Sequence, residues 1–169
     1  AVDGLFAVAR PMLSPSGRLA FLAAPCATCG QRLGVLRGPR AAIAGPAASV
    51  AWLNDAQLLA SAGRGEERDI WVVRPTGARR ELEWLSSATE RMHVESQGAL
   101  AVSPNGRTLA FSGEGRREHH GNYVADLVEH RLHAVAGEGD DAPAFSPDGR
   151  TLAYQHVSRR GDWDLCLSR

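Results

Sequence analysis

Short apolar runs, alternating with small or polar residues, recur along the whole chain, and Gly, Pro, Asn and Asp punctuate the gaps between them. Period-two alternation of this kind predicts half-buried β-strands. The clearest runs are Leu58-Leu59-Ala60, Asp69-Ile70-Trp71-Val72-Val73, Leu109-Ala110-Phe111, Asn122-Tyr123-Val124-Ala125-Asp126-Leu127 and Asp164-Leu165-Cys166-Leu167. One stretch departs from the pattern. Residues 86–96 are mostly polar, and Ser87 precedes Glu90 by three positions, which predicts a short capped helix.

Four segments repeat a hairpin signature. They are Leu13-Ser14-Pro15-Ser16-Gly17-Arg18-Leu19-Ala20-Phe21, Trp52-Leu53-Asn54-Asp55-Ala56-Gln57-Leu58-Leu59-Ala60, Val102-Ser103-Pro104-Asn105-Gly106-Arg107-Thr108-Leu109-Ala110-Phe111 and Phe145-Ser146-Pro147-Asp148-Gly149-Arg150-Thr151-Leu152-Ala153-Tyr154. The marker positions Ser14, Leu53, Ser103 and Ser146 stand 39, 50 and 43 residues apart. Those steps bracket the roughly 40–45 residues of a four-stranded propeller blade. Proline presets φ at the first turn position, Asp or Asn tolerates the next, and glycine takes the positive φ that closes the bend. The second copy lacks Pro and Gly, so Asn54 and Asp55 are expected to turn the chain alone.

Each copy continues with a third strand (residues 33–36, 69–73, 122–127 and 164–167) and a fourth (41–44, 79–84 and 132–136). The last copy ends without a fourth strand, while Leu5-Phe6-Ala7-Val8-Ala9-Arg10 matches Leu132-His133-Ala134-Val135-Ala136-Gly137 almost position for position. The expectation is an all-β propeller with four blades of four antiparallel strands. The blades span about 11–45, 49–85, 98–137 and 142–169, with residues 5–10 completing the last blade against 164–167 and residues 86–96 inserted. Radial repetition explains a hairpin signature at blade spacing, which a sandwich or barrel does not.

The fourth copy, Pro143-Ala144-Phe145-Ser146-Pro147-Asp148-Gly149-Arg150-Thr151-Leu152-Ala153-Tyr154 followed by Asp162-Trp163-Asp164-Leu165, resembles the TolB-type propeller repeat. The resemblance covers nearly the whole chain and is specific for fold. It implies protein binding outside the cytoplasm, since such repeats build the periplasmic partner of the Tol–Pal system. They also build the propellers that precede prolyl-oligopeptidase-type hydrolase domains, and sensor domains of regulators. TolB itself resembles a six-bladed ring, so four blades can form a closed ring, an open arc completed by another chain, or a slice of a longer protein. The complementary ends favour closure.

Charge adds one exclusion. Nineteen basic residues balance nineteen acidic ones, without the basic face a nucleic-acid partner requires. No run reaches the length of a membrane span. The start at Ala1 fits a mature chain released from a leader, or a trimmed one, and a periplasmic or extracellular location is expected ahead of the cytoplasm.

Candidate chemistry is sparse. The nucleophile elbow Gly-x-Ser-x-Gly and the phosphate-cradling glycine loops are missing from the sequence. Cys26-Ala27-Thr28-Cys29-Gly30 is a pair at a hairpin tip: a local disulfide outside the cytoplasm, inert thiols inside it, two of the four ligands of a metal knuckle, or a redox-catalytic pair. Cys166 reads as a small buried hydrophobe, and Trp52, Trp71, Trp84 and Trp163 as packing. Asp140-Asp141 faces water or holds a cation. The first strands, at residues 10–13, 49–52, 100–102 and 142–145, contain no acid to serve a channel-mouth hydrolase. Two loops exceed what their blades need, residues 86–96 and 113–121, and extra loop length on a repeat scaffold maps to a binding face. Arg91, His93, Arg116, Arg117, His119 and His120 are therefore the expected partner contacts. The expected role is a cofactor-free, non-catalytic accessory subunit that docks onto a protein assembly, membrane-bound or not. A propeller-class hydrolase, the propeller part of a longer hydrolase, and a structural spacer are the alternatives.

Overall fold

A computed structural model describes residues 7–24, 26–37, 40–64, 67–115, 120–135, 140–158 and 160–169. Its sheets follow the chain in order. Blade one comprises β1 (Ala7–Leu13), β2 (Leu19–Ala24), β3 (Arg32–Arg37) and β4 (Arg40–Pro46). Blade two comprises β5 (Ser49–Asn54), β6 (Gln57–Arg64), β7 (Glu67–Val73) and β8 (Arg79–Glu81), after which helix α1 (Glu83–Arg91) intervenes. Blade three comprises β9 (Val94–Val102), β10 (Thr108–Gly115), β11 (Gly121–Asp126) and β12 (Arg131–Ala134). Blade four has β13 (Asp140–Phe145), β14 (Leu152–Val157) and β15 (Trp163–Ser168). All pairings are antiparallel between sequence neighbours, the meander of a propeller blade.

Period two sends alternate residues to opposite faces, and each face meets a different neighbour. Leu58 and Ala60 of β6 turn toward blade one, where they share a core with Ala20, Leu22, Leu33, Val35 and Trp52. Leu59, Ile70 and Val72 turn the other way and join Leu109, Phe111, Tyr123 and Ala125 of blade three. The sheets therefore contact in sequence, β1 and β2 with β5, β5 through β7 with β9, and β9 through β11 with β13. No comparably extensive contact joins blade one to blade four among the described residues, so the blades form an open arc.

The repeated turns explain why these residues start each blade. In blade three Ser103 Oγ donates to Asn105 Oδ1 at 2.7 Å and accepts from Thr108 N at 2.9 Å. Blade four repeats this with Ser146, Asp148 and Thr151 at 2.6 and 3.0 Å. Gly106 and Gly149 close these turns at φ 68° and 70°. A side chain there would also collide with the preceding blade: the missing Cβ of Gly106 would lie 2.9 Å from the Leu53 carbonyl oxygen, and that of Gly149 3.3 Å from Pro104 Cδ.

Blade one carries Ser16 where the others have Asp or Asn, and its acceptor comes from blade two. Asp55 Oδ1 accepts from Ser14 Oγ at 2.7 Å and from Ser16 N at 2.8 Å, while Arg18 Nη1 donates to the Asp55 carbonyl at 2.6 Å. The second copy can lend Asp55 because Asn54 alone shapes its own turn, accepting from Ala56 N at 2.9 Å.

Several expectations need correction. Residues 7–10 do not complete blade four: Ala7, Val8 and Ala9 pair with Ala24, Ala23 and Leu22 of β2, so these residues lengthen the first strand of blade one. Leu5 and Phe6 lie outside the described residues. An apolar period-two run fits a first strand as well as a fourth, and proximity to β2 decides. The helix begins at Glu83, not within 86–96, because Leu82, Leu85 and Ala88 form the buried spacing; residues 94–96 belong to β9. The fourth strand of blade two consequently stops at Glu81, and Trp84 is helical. The expected loop at 113–121 is shorter, since β10 runs through Gly115 and β11 starts at Gly121. Trp163 is 67% exposed and not in a core. First strands are not free of acids, because β13 opens with Asp140-Asp141 and β9 contains Glu95.

Bulges interrupt β1 between Ala9 and Met12 and β13 between Asp141 and Ala144. Each holds a proline, Pro11 or Pro143, which has no N–H to give the ladder. The preceding Arg10 and Ala142 take positive φ, 49° and 51°.

Two outcomes follow for stability. The hydrogen bonds from Ser16 and Ser14 hold the Asp55 carboxyl below the usual carboxylate range. A depressed folded-state pKa contributes stability that is present above the unfolded carboxylate value and lost as pH falls through the folded one. Asp55→Asn should therefore melt below the parent at neutral pH, with the gap closing as pH falls through the lowered folded-state value; a pH-independent gap would exclude a role for the charge. In the seam between blades three and four, Asn122 is fully buried, and neither its Nδ2 nor its Oδ1 finds a protein partner. Its register mates in the other blades are Ile70 and Leu33. Asn122→Leu should raise the urea midpoint, by about 1–3 kcal/mol in unfolding free energy.

Candidate docking face

Antiparallel meanders place the connections between second and third strands, and those between successive blades, at one end of every sheet. Among the described residues that end carries the Cys26–Cys29 turn, the C-terminal end of α1 and the turn at Ser158–Asp162.

Helix α1 is fixed there from both sides. Leu85 and Leu82 enter the core between blades two and three. Trp84 stacks on His130 of blade three, with centroids 4.7 Å apart and planes within 7°. Thr89 Oγ1 donates to the Ser86 and Leu85 carbonyls at 2.9 and 3.1 Å and accepts from Gln97 Nε2 at 3.4 Å. Ser61 Oγ donates to the Gln97 carbonyl, tying β6 to β9 beneath the helix. Gln97 is 3% exposed, and its Oε1 has no protein partner. Glu81 accepts from Ser86 Oγ at 2.9 Å and steadies the first turns.

His93 ends the helix. Its N–H donates to the Glu90 carbonyl at 3.0 Å, and its φ of 58° lies in the left-handed region where glycine is usual. The next residue, Val94, pairs with Gly115 at the end of β10. The helix terminus and the start of the connection to β11 thus meet at one corner. Around it opens a cleft of about 790 Å3, lined by the acids Asp69, Glu81, Glu83 and Glu90, by Arg68 and His93, and by Gln97 on its floor.

Of the residues chosen from sequence, Arg91, His93 and His120 are exposed, and His93 lines the cleft. Arg116, Arg117 and His119 lie outside the described residues. Sequence reasoning missed Gln97 and the acids at 69, 81 and 83; a glutamine next to Gly98 gives no signal until the strand that buries it is placed. The Cys26 and Cys29 sulfurs are bonded at 2.07 Å. Cys166 is half-buried, on the same face as Tyr154. Asp141 is exposed and accepts from Ala142 N at 2.6 Å. Among the described residues no group of three or more His, Cys, Asp or Glu comes together to hold a metal ion, and no helix is long and apolar enough to cross a membrane.

The arrangement defines the chain as a β-propeller arc of the TolB type in fold. Its structure is similar to that of TolB from Acinetobacter baumannii, with 13% identity and a TM-score of 0.71 over 96% of this chain and 41% of that one. It is also similar to a puromycin hydrolase, with 20% identity and a TM-score of 0.71 over 98% of this chain and 27% of that one. A chain of the nidogen/laminin complex matches with 14% identity and a TM-score of 0.59, over 96% of this chain and 56% of that one. The chain spans less than two thirds of each of these proteins, and identities this low show a common fold. No protein-family model and no curated protein matches the sequence.

The backbone at His93 generates a prediction. His93→Gly removes a left-handed side-chain cost of about 1 kcal/mol and should leave the melting temperature unchanged or raised; a loss of stability would show that the imidazole holds the corner together.

Proposed function

We propose that this chain is a non-catalytic docking module that presents the α1 corner to a protein partner outside the cytoplasm. The observation that carries the reading is the convergence of His93, Val94 and Gly115 at the mouth of a polar cleft held by two packed blades. Rigid sheets carrying a short helix and a loop start at one end are a common geometry for recognition. The acids lining the cleft outnumber Arg68 and His93, so the segment it receives is expected to be basic. Charges on an exposed rim govern encounter and orientation more than affinity, and Glu83, Glu90 and His93 of the lining are exposed. TolB and the nidogen/laminin complex support a binding role by fold alone.

The puromycin hydrolase favours a second reading, in which the arc belongs to a longer hydrolase and orders access to a neighbouring domain. One experiment separates the two. The chain is used to capture partners from a native envelope extract, alongside a variant with Glu83→Lys and Glu90→Lys, both exposed positions. Docking predicts a captured protein whose retention falls about tenfold or more with the variant and also falls with added salt. Equal capture by both proteins, or none, would reject the docking corner.

A further inference from the structure

Helix α1 and the strands beside it shape the cleft as a polar slot between blades two and three. Glu83, Ser86, Ser87 and Glu90 line it from the helix, and steps of three, four and seven residues put them on one helical face. Carboxylates end that stripe and hydroxyls fill it. Glu81 lines the slot from β8, held by the bond its Oε1 accepts from Ser86 Oγ. Four acids against Arg68 leave the lining net negative. Among the described residues no three of these acids gather closely enough to hold a metal ion. Their charge is spread along a wall.

The floor supplies a specific acceptor. Thr89 Oγ1 has one hydrogen, committed to the Ser86 and Leu85 carbonyls. Toward Gln97 the hydroxyl can therefore only accept, which assigns Nε2 to the Thr89 side at 3.4 Å and turns Oε1 away from it. Ser61 Oγ holds the Gln97 main-chain carbonyl from below. Oε1 is left buried with no donor from the protein. A buried acceptor without a donor destabilises the fold that holds it, and a donor arriving through the cleft relieves it.

We propose that this slot receives one arginine side chain of the partner, whose guanidinium donates to Gln97 Oε1 and to carboxylates of the wall. The donor must be cationic to meet the wall, and it needs several N–H groups to satisfy wall and floor together. A guanidinium has five in one plane and is weakly hydrated, whereas an ammonium has three and holds its water more tightly. Oε1 lies beneath the cleft surface, so a donor must shed water to reach it, which favours arginine over lysine. The inference rests on the docking reading for the partner's being a protein; recognition of a guanidinium rests on the cleft alone.

The test is a titration followed by proton–nitrogen NMR, with acetyl-Gly-Arg-Gly-amide as the probe and its lysine and citrulline counterparts as controls. The arginine peptide should shift the Gln97 side-chain amide together with the backbone amides of His93 and Val94. It should bind about tenfold more tightly than the lysine peptide, and citrulline, which keeps the shape without the charge, should cause no shift. Gln97→Met should weaken arginine binding about tenfold or more without lowering the melting temperature, because the amide it removes carries an unmet acceptor. Should that variant fail to fold, Glu83→Gln with Glu90→Gln, at exposed positions, should weaken binding by a similar factor. No shift at Gln97, the result if water alone satisfies the oxygen, would overturn the proposal. So would undiminished binding by either variant, or a lysine peptide that binds as tightly. Arginine binding with no partner captured from the extract keeps this site and removes the docking module; capture without arginine binding does the reverse.

Discussion

Everything in this molecule depends on one constraint: a propeller sheet has two faces, and each can leave water only by lying on another sheet. That constraint makes the middle two strands apolar at both parities, as Leu58 and Leu59 show in adjacent positions on opposite sides. It also sets the close approach of successive turns, where Gly106 lies under the Leu53 carbonyl and Gly149 against Pro104. The seams are not equal. Two are closed by large apolar clusters, and the third contains the orphaned amide of Asn122.

The docking corner is a by-product of the same packing. Blade two has a short outer strand, and α1 fills the wedge that a longer β8 would occupy, with Leu82 and Leu85 inside and Glu83 and Glu90 outside. The hydrogen bonds from Ser61 to Gln97 and from Gln97 to Thr89 then run from a buried strand to the helix without passing through solvent. Rigidity at the cleft therefore comes from the blades beneath it.

The turn chemistry made the fold legible before any coordinates. Ser-Pro-Asp/Asn-Gly, intact in the third and fourth copies, states a backbone conformation directly, and four related hairpins at blade spacing leave little choice of architecture. Strand assignment at the ends was less legible, because the apolar alternation of Ala7–Leu13 serves a first or a fourth strand equally and only pairing with β2 distinguishes them. The helix start was obscured by competing signals. Ser87 and Glu90 form a capping pattern on paper, yet the buried spacing of Leu82, Leu85 and Ala88 starts the helix earlier, with no side-chain cap at Leu82. Of the site, the exposed Arg91 and His93 were readable as excess polar length. The acids were not, since they come from β7, β8 and the helix and meet only after folding.

The borrowed acceptor at Asp55 bears on how the chain acquires its shape. Blade one holds every strand it needs, yet its first turn lacks a carboxylate until the tip of the next hairpin has arrived. That hairpin follows it along the chain, so the bend is fully tied only after the second repeat has been made. In a stack governed by nearest-neighbour terms, this makes the first turn of blade one complete only once the second repeat is in place beside it.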